Sequence, residues 1–453
     1  MDVKILLKSL NLKSVPCEYC DIRVEETYET KVRINNREVT TAISQSATGA
    51  FLRLRKNGQW CYSATTDLES LQEQLMNLAN SMDMGNSSKW SRLPENNGIF
   101  ENISYQGRNP TLIPLSEKVA LVKKYDSLSE LNPFVKSAQS GYKDTYRIKT
   151  FINSVGTFYQ FDFAQCGGYI SYDLADGEKK FTDHLSYYGE TFDKIQGETE
   201  KLKKAVQNST QFLNAPLVEP GKYRLLLSPA VTGVFVHESF GHMSEADGLI
   251  GDPKSKEVWQ LGKKVAADFV SIVDSGLHQG GSGYCPIDDE GFKSTKTFLV
   301  KKGVLSGRLH SYDTADMMEE APTGNGRALN FEYEPIVRMT STYIENGTTS
   351  LDDLYKMAEG AILIENFEHG TGGELFTIAP GRAYIIKDGK PHSPVRANVI
   401  SGQLFETLLN IEAIGNNFDL HNSAMGGCGK SGQFPLPVAD GGPTILVKDM
   451  QVS

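Results

Sequence analysis

The chain has no apolar run approaching the ~20 residues a helix needs to cross a bilayer. Its first residues, Met1-Asp2-Val3-Lys4-Ile5-Leu6-Leu7-Lys8, break too soon to form the apolar region of a signal peptide. No membrane partner is expected, and a cytoplasmic location is. The chain also lacks an excess of positive charge: 46 Lys and Arg stand against 56 Asp and Glu, for a formal net charge of −10. That balance argues against nucleic acid as the main partner. Cysteine is scarce and irregularly spaced, with six in 453 residues, so no disulfide framework is expected, in keeping with a reducing compartment. Cys17-Glu18-Tyr19-Cys20 spells CxxC, but no second CxxC or nearby His pair completes a tetrahedral site. Internal repeats, heptads and low-complexity tracts are missing as well, which sets aside solenoids and coiled coils.

What remains is the texture of a soluble globular protein, 39% apolar and 23% charged, long enough for two to four compact units. Residues 18–65 alternate apolar and polar, as in Lys31-Val32-Arg33-Ile34 and Leu52-Arg53-Leu54-Arg55, the mark of half-buried antiparallel strands. From Asp67, a plausible cap, the period becomes helical. The stretch 85–115, rich in Asn, Ser, Pro and Gly, reads as a linker or long loop. A helix over 116–131, alternating strands over 141–188 and a charged helix over 198–213 follow. From Pro220 the chain turns to Gly-rich turns, apolar strands and one apolar helix. The expected fold is α+β, mostly antiparallel sheets with flanking helices. Its expected units are 1–100, 101–215 and a larger β-rich domain, 216–453, that carries the chemistry.

Within that last unit, Tyr223-Arg224-Leu225-Leu226-Leu227 reads as a strand, and Ser228-Pro229 supplies an N-cap followed by proline at the first helical position. The helix should run through Val231, Val234 and Phe235 into His237-Glu238-Ser239-Phe240-Gly241-His242. Two histidines with a glutamate beside the first suit a hydrolytic zinc site: neutral imidazoles ligate, and the carboxylate takes a proton from water. The spacing is unusual. A separation of five residues is about 140° on a regular helix, too wide for one metal. A π-bulge would bring His242 back onto the face of His237, and Gly241 makes that distortion cheaper. The plain alternative is a buried apolar helix carrying two satisfied histidines.

A catalytic site needs a third ligand. Glu245, Asp247 and Asp252 are near in sequence, and Cys428 lies far away in Gly426-Gly427-Cys428-Gly429-Lys430-Ser431-Gly432-Gln433. A cysteine between glycines can approach a metal closely, its thiolate suits zinc, and Lys430 would help hold the sulfur deprotonated. A small apolar filler is the ordinary role for a lone cysteine.

The HExxxH at 237–242 resembles that of the TldD/PmbA family, historically labelled modulators of DNA gyrase. The resemblance continues in order through Asp288-Asp289-Glu290-Gly291, Thr323-Gly324-Asn325-Gly326-Arg327, Arg338-Met339-Thr340-Ser341-Thr342-Tyr343, Gly372-Gly373 and Cys428-Gly429-Lys430-Ser431-Gly432-Gln433. With the N-terminal layout it covers nearly the whole chain. It implies a cytoplasmic metallopeptidase acting on unfolded or short peptides, with His237, His242 and Cys428 as Zn2+ ligands and Glu238 as general base. It also implies a dimer, either a homodimer or a heterodimer with a PmbA-like (TldE) paralogue that lacks the motif. No oxyanion stabiliser can be assigned; His278, His310 and His369 share the domain and no more. The acidic charge gives the gyrase label no physical support.

Three rivals stand beside this reading. Ala424-Met425-Gly426-Gly427-Cys428-Gly429-Lys430-Ser431 matches a relaxed P-loop, but the preceding residues are polar and Pro435 and Pro437 follow, so strand–loop–helix is not expected. A cysteine hydrolase using Cys428 would leave Glu238 and one histidine idle. A catalytically silent scaffold or partner subunit would have no use for a complete set of ligands. The Gly280-Gly281-Ser282-Gly283 loop reads as a flexible turn that could also close over a substrate.

Overall fold

The computed structural model describes residues 2–82 and 94–453. Its first half is one long, mostly antiparallel sheet with helices packed against it. In chain order it holds α1 (Val3–Ser9), β1 (Tyr19–Asn35), β2 (Glu38–Lys56), β3 (Gln59–Thr65) and α2 (Leu71–Ser81). Next come β4 (Ile99–Asn102), α3 (Leu115–Asp126), β5 (Val135–Asn153), β6 (Phe158–Asp176), β7 (Lys179–Gly189), α4 (Phe192–Gln196) and α5 (Thr199–Asn208). The seven strands lie in the order β3-β2-β1-β5-β6-β4, with β7 also pairing β6. Turn chemistry sets the hairpins. Asn36-Arg37 and Asn57-Gly58 both adopt positive φ at two successive residues, the geometry that matches the twist of tight two-residue hairpins.

The expected antiparallel strands over 18–65 and 141–188 are therefore present, but along β1 and β2 burial runs in blocks rather than alternating: 19–25 and 49–55 are buried throughout, and 38–48 nowhere. Asp67 differs from expectation: its carboxylate accepts from Glu69 N and Ser70 Oγ, and Ser70 is the residue that precedes the helix. The helices expected over 116–131 and 198–213 each end in a 3-10 turn, Ser127–Leu131 and Ser209–Leu213. Part of the 85–115 linker lies outside the described residues; the rest contributes β4, which pairs in parallel with β6. The first two expected units share this one sheet, because β1 pairs β5 from Asp21↔Asn153 to Asn35↔Gln139. They do not share a core. α1 and α2 bury Leu7, Leu71 and Leu75 against one end of the sheet, while α3 and α5 bury Val122, Leu202 and Val206 against the other.

The second half holds a nine-stranded and a six-stranded sheet. β8 (Gly221–Leu227) lies inside the larger one, between Ile445–Val452 and Ile362–Ile364. It leads through Ser228 into α6 (Pro229–Phe235), where the Ser228 hydroxyl accepts from Val231 N as the N-cap and Pro229 occupies the first turn. α6 is sandwiched between the sheets and buries Val231, Val234 and Phe235 with Leu225, Ile344, Ile364, Phe376 and Ile445. A helix apolar on all sides belongs in such an interior.

The halves are clasped by charge. Asp289 accepts from Lys149 Nζ on β5 at 2.6 Å, and Glu290 from Arg53 Nη1 on β2 at 2.7 Å. Tyr159 on β6 donates to Asp288 O at 3.0 Å. Asp288 itself accepts from the backbone N–H groups of Glu290, Phe292 and Gly326, fixing the turn that presents the clasp. No described helix is long and apolar enough to cross a membrane.

Candidate metal centre

α6 does not continue as a regular helix. Residues Val236–Gly241 form a π-helical turn, and His242–Ser244 a 3-10 turn. The wider turn does what the five-residue spacing requires: the His237 and His242 rings come to 5.2 Å between centroids, edge to face. Gly241 is needed for more than flexibility, since a Cβ there would lie 2.0 Å from Met339 Sδ.

Cys428 arrives from the other end of the chain on a small hairpin, Cys428–Lys430 paired with Gln433–Leu436. Ser431 and Gly432 turn it at φ 50° and 78°. The segment is thus strand and turn, with no helix after it as a phosphate loop would need. Its Sγ lies 3.4 Å from His242 Nε2, and the donor atoms of His237, His242 and Cys428 all fall within 4.8 Å of one another. Among the described residues this is the only such group of three.

The family-like segments met in the sequence hold this arrangement in place. Arg338, fully buried, donates to Cys428 O at 2.7 Å and to Gln433 O at 3.3 Å. Arg327 donates to Pro437 O at 2.8 Å and to Met339 O. Asn325 donates to Arg338 O and to Asp274, both at 2.9 Å. Gly372 passes so close to the helix that a Cβ would lie 2.2 Å from Glu238 O. The strand Phe367–Thr371 and its glycines therefore form a wall beside Glu238.

Electrostatics corrects one sequence expectation. Lys430 does not hold the Cys428 thiolate; it pairs with Glu245 at 2.9 Å and Asp247 at 2.6 Å. Burial pushes the Cys428 thiol up, and the His237 and His242 imidazoles outweigh it, bringing the pKa down to about 5. Glu245 accepts from or faces His242 Nδ1 at 3.3 Å, which leaves Nε2 directed at the sulfur. Of the other nearby acids, Asp252 caps the short helix Pro253–Val258. Neither it, Glu245 nor Asp247 belongs to the three-residue group. Glu238 is half-buried, and burial raises its carboxyl above the ordinary range against the opposing pull of His237 and His242.

Two residues the sequence reading missed border the group. Asp440 Oδ1 lies where a Cβ on Gly233 would be, at 2.3 Å, one helical turn before His237. His421 Nδ1 is 3.4 Å from the same oxygen, and both His421 and Asp440 are close enough to His237 to shift its charge state or feel it. Gly233 was the available signal, because an interior helix glycine costs about 1 kcal/mol unless something must approach closely. Of the histidines named from sequence, His310 is buried and bonded to Thr314 and Glu320, His278 packs on Tyr343, and His369 is exposed. The Gly280–Gly283 loop is tied down by Tyr188 OH to Gly280 O at 3.0 Å and by Asn422 to Ser282 N at 2.8 Å.

The donor set fits a metal. His237 Nδ1 is buried without a hydrogen-bond partner, a costly state unless a ligand takes it up. Ligands of a tetrahedral zinc, bonded at about 2.0–2.3 Å, lie roughly 3.5 Å apart, close to the 3.4 Å between Sγ and Nε2.

Known proteins resemble this chain over nearly its whole length. Residues 220–453 match the family model of the PmbA/TldA metallopeptidase C-terminal domain, and residues 20–82 that of PmbA/TldA metallopeptidase domain 1. A metalloprotease of Synechocystis sp. is 33% identical over 448 residues, covering 96% of this chain and 94% of that protein. A Thermotoga maritima crystal structure described as a DNA gyrase modulator shares the fold at a TM-score of 0.79 and 21% identity, covering 96% of each chain. TldE from Thermococcus kodakarensis does so at 0.75 and 16%, covering 96% of this chain and 97% of its own. The chain belongs to the TldD/PmbA family of metallopeptidases.

Proposed function

We propose that this protein is a zinc-dependent peptidase that hydrolyses unfolded or short peptides, with His237, His242 and Cys428 as metal ligands and Glu238 as general base. The observation that carries the reading is the convergence of two imidazoles and a low-pKa thiol beside one carboxylate, from segments far apart in the chain. Two nitrogens and a thiolate suit zinc better than a hard cation, and three protein ligands leave a fourth position open, the pattern of catalytic sites.

Bound there, zinc supplies Lewis acidity toward a carbonyl oxygen and a water molecule. The chain's own groups do the rest. Glu238 takes the water's proton and passes it to the leaving amine nitrogen. Glu245, anchored by Lys430, fixes the His242 ring so that Nε2 faces the site. Asp440, 3.4 Å from His421 Nδ1, adds a negative charge beside His237. The reading includes a cytoplasmic location and a dimeric state, with itself or with a TldE-like paralogue; likeness to a solved TldE supports the family of partners without choosing one.

The test is cleavage of an unstructured peptide by zinc-loaded protein, with new termini identified by mass spectrometry. Wild type cleaves, chelation abolishes cleavage and added zinc restores it. Glu238→Gln binds the same zinc and loses about 10²–10⁴-fold in kcat. Full activity in Glu238→Gln removes the general base. Zinc-loaded wild type that cleaves nothing favours the catalytically silent partner subunit, and activity that survives chelation favours a thiol hydrolase.

A further inference from the structure

Cys17-Glu18-Tyr19-Cys20 is a motif that the metal centre leaves unused, and it lies at the entry to β1. Pro16, whose ring fixes φ, centres a tight turn in which Cys17 N donates to Val15 O at 2.9 Å. Glu18 N then donates to Arg55 O at 2.9 Å, seating the next residue against β2. Cys17 is left in a bend outside helix and strand, half-buried. Cys20 is fixed in β1 through its backbone: its N–H donates to Ser154 Oγ at 3.1 Å, and its carbonyl accepts from Ser154 N at 2.8 Å. Its side chain is fully buried in the core that α1 and α2 share with the sheet.

This turn brings the two sulfurs together. Cys17 Sγ accepts hydrogen bonds from the Cys20 thiol and from Tyr19 N–H. The Cys20 thiol has a second acceptor in Leu12 O, at 3.6 Å. Both cysteines are free thiols, and neither belongs to a group of metal-ligating side chains among the described residues. The hydrogen bond between them lowers the Cys17 pKa and raises that of Cys20, which burial raises further. One thiol is therefore accessible and readily ionised, while its neighbour is buried and keeps its proton. Thiol–disulfide exchange uses that asymmetry: the first sulfur attacks and the second resolves.

We propose that Cys17 and Cys20 form a redox-active dithiol whose reaction partner is a low-molecular-weight disulfide of the glutathione type. The Cys17 thiolate, its proton lost to solvent, attacks one sulfur of that disulfide, forming a mixed disulfide and expelling one thiolate. Cys20 gives its proton to the expelled thiolate and attacks the Cys17 sulfur. The Cys17–Cys20 bond closes, and the second thiolate leaves and takes a proton from solvent. The protein has then lost two electrons and two protons, and the small disulfide has become two thiols. Forming an S–S bond of about 2.05 Å asks for side-chain rotation at Cys17, in its bend, and leaves β1 in place. Disulfides that form in a reducing compartment are mostly transient and redox-sensing. Cys61 is the internal control. It stands in the same row of the sheet, Cys20 opposite Leu54 and Leu54 opposite Cys61, with a strand between it and the pair. The inference rests on this pair alone and not on chemistry at the metal centre.

The test is peptide mapping of the native full chain after exposure to glutathione disulfide. Lys13 and Arg23 bound a tryptic peptide, 14–23, that holds both cysteines and no other. In wild type that peptide should lose two hydrogens, resist alkylation at both sulfurs and recover with dithiothreitol. Cys20→Ser should trap glutathione on Cys17, Cys17→Ser should leave Cys20 unmodified, and Cys61→Ser should behave as wild type. The wild-type map can fail by itself, whatever the variants do. A peptide 14–23 that stays reduced, one that retains glutathione on Cys17, or a link from Cys17 to Cys61 would each overturn the proposal. Glutathione on Cys20 in Cys17→Ser, or none on Cys17 in Cys20→Ser, would overturn it as well.

Discussion

At Glu238, burial and charge pull in opposite directions, and burial wins. In metal-free protein the Glu238 carboxyl should therefore take up its proton at a pH above the ordinary glutamate range, read by NMR titration of its carboxyl carbon; a midpoint at or below that range contradicts this balance of burial and charge. Lys430 shows how a residue can be legible in kind but not in role. The sequence places it two positions from Cys428, yet its ammonium reaches Glu245 and Asp247. Lys430→Met should leave the pH dependence of Cys428 alkylation in metal-free protein nearly unchanged. Zinc affinity should fall about 10–100-fold, the usual effect of losing an outer-shell partner, because Glu245 then holds His242 less firmly.

At the scale of elements, a departure from the regular helix was legible because the arithmetic of a five-residue spacing leaves only a bulge or a broken helix to present both rings, and the structure takes the π-helical turn. The Cys428 hairpin was legible only through its glycines and its resemblance to other chains, since nothing local says which helix it will meet. His421 and Asp440 were not legible by name, because they reach α6 through sheet pairing across the second half, and strand pairing is not encoded in spacing; only Gly233 hinted that something approaches α6 closely. The packing around the turn makes a sharp prediction. Gly241→Ala drives a methyl into Met339 and should cost about 1–3 kcal/mol, as overpacking does, with zinc content falling in parallel. Gly248→Ala, whose Cβ would meet nothing within 4 Å, should change neither in denaturant melts or metal assays.

Over the whole molecule, the alternating strands announced an antiparallel α+β protein, but the partnership of β1 with β5 joins residues more than 100 positions apart. That pairing merges two expected units into one sheet. The buried clasp then fastens the sheet to the metal-centre half. Burial pushes the Asp289 carboxyl up, and Lys149 and Arg23 outweigh it, holding it below the usual range. With a depressed folded pKa, its stabilisation is complete above the unfolded aspartate pKa and is lost as pH falls through the folded one. Asp289→Asn leaves two buried cations short of a partner. It should destabilise by about 3–5 kcal/mol at neutral pH, read by denaturant unfolding, and the loss should shrink in acid. An unchanged midpoint would mean the clasp does not hold the halves together.

The most direct test of the account is the zinc content of purified protein by elemental analysis, wild type beside His237→Ala and Cys428→Ala. The account predicts about one zinc per chain, the load of a mononuclear site, lost in both variants. Full zinc in Cys428→Ala, or none in wild type after reconstitution, would contradict it.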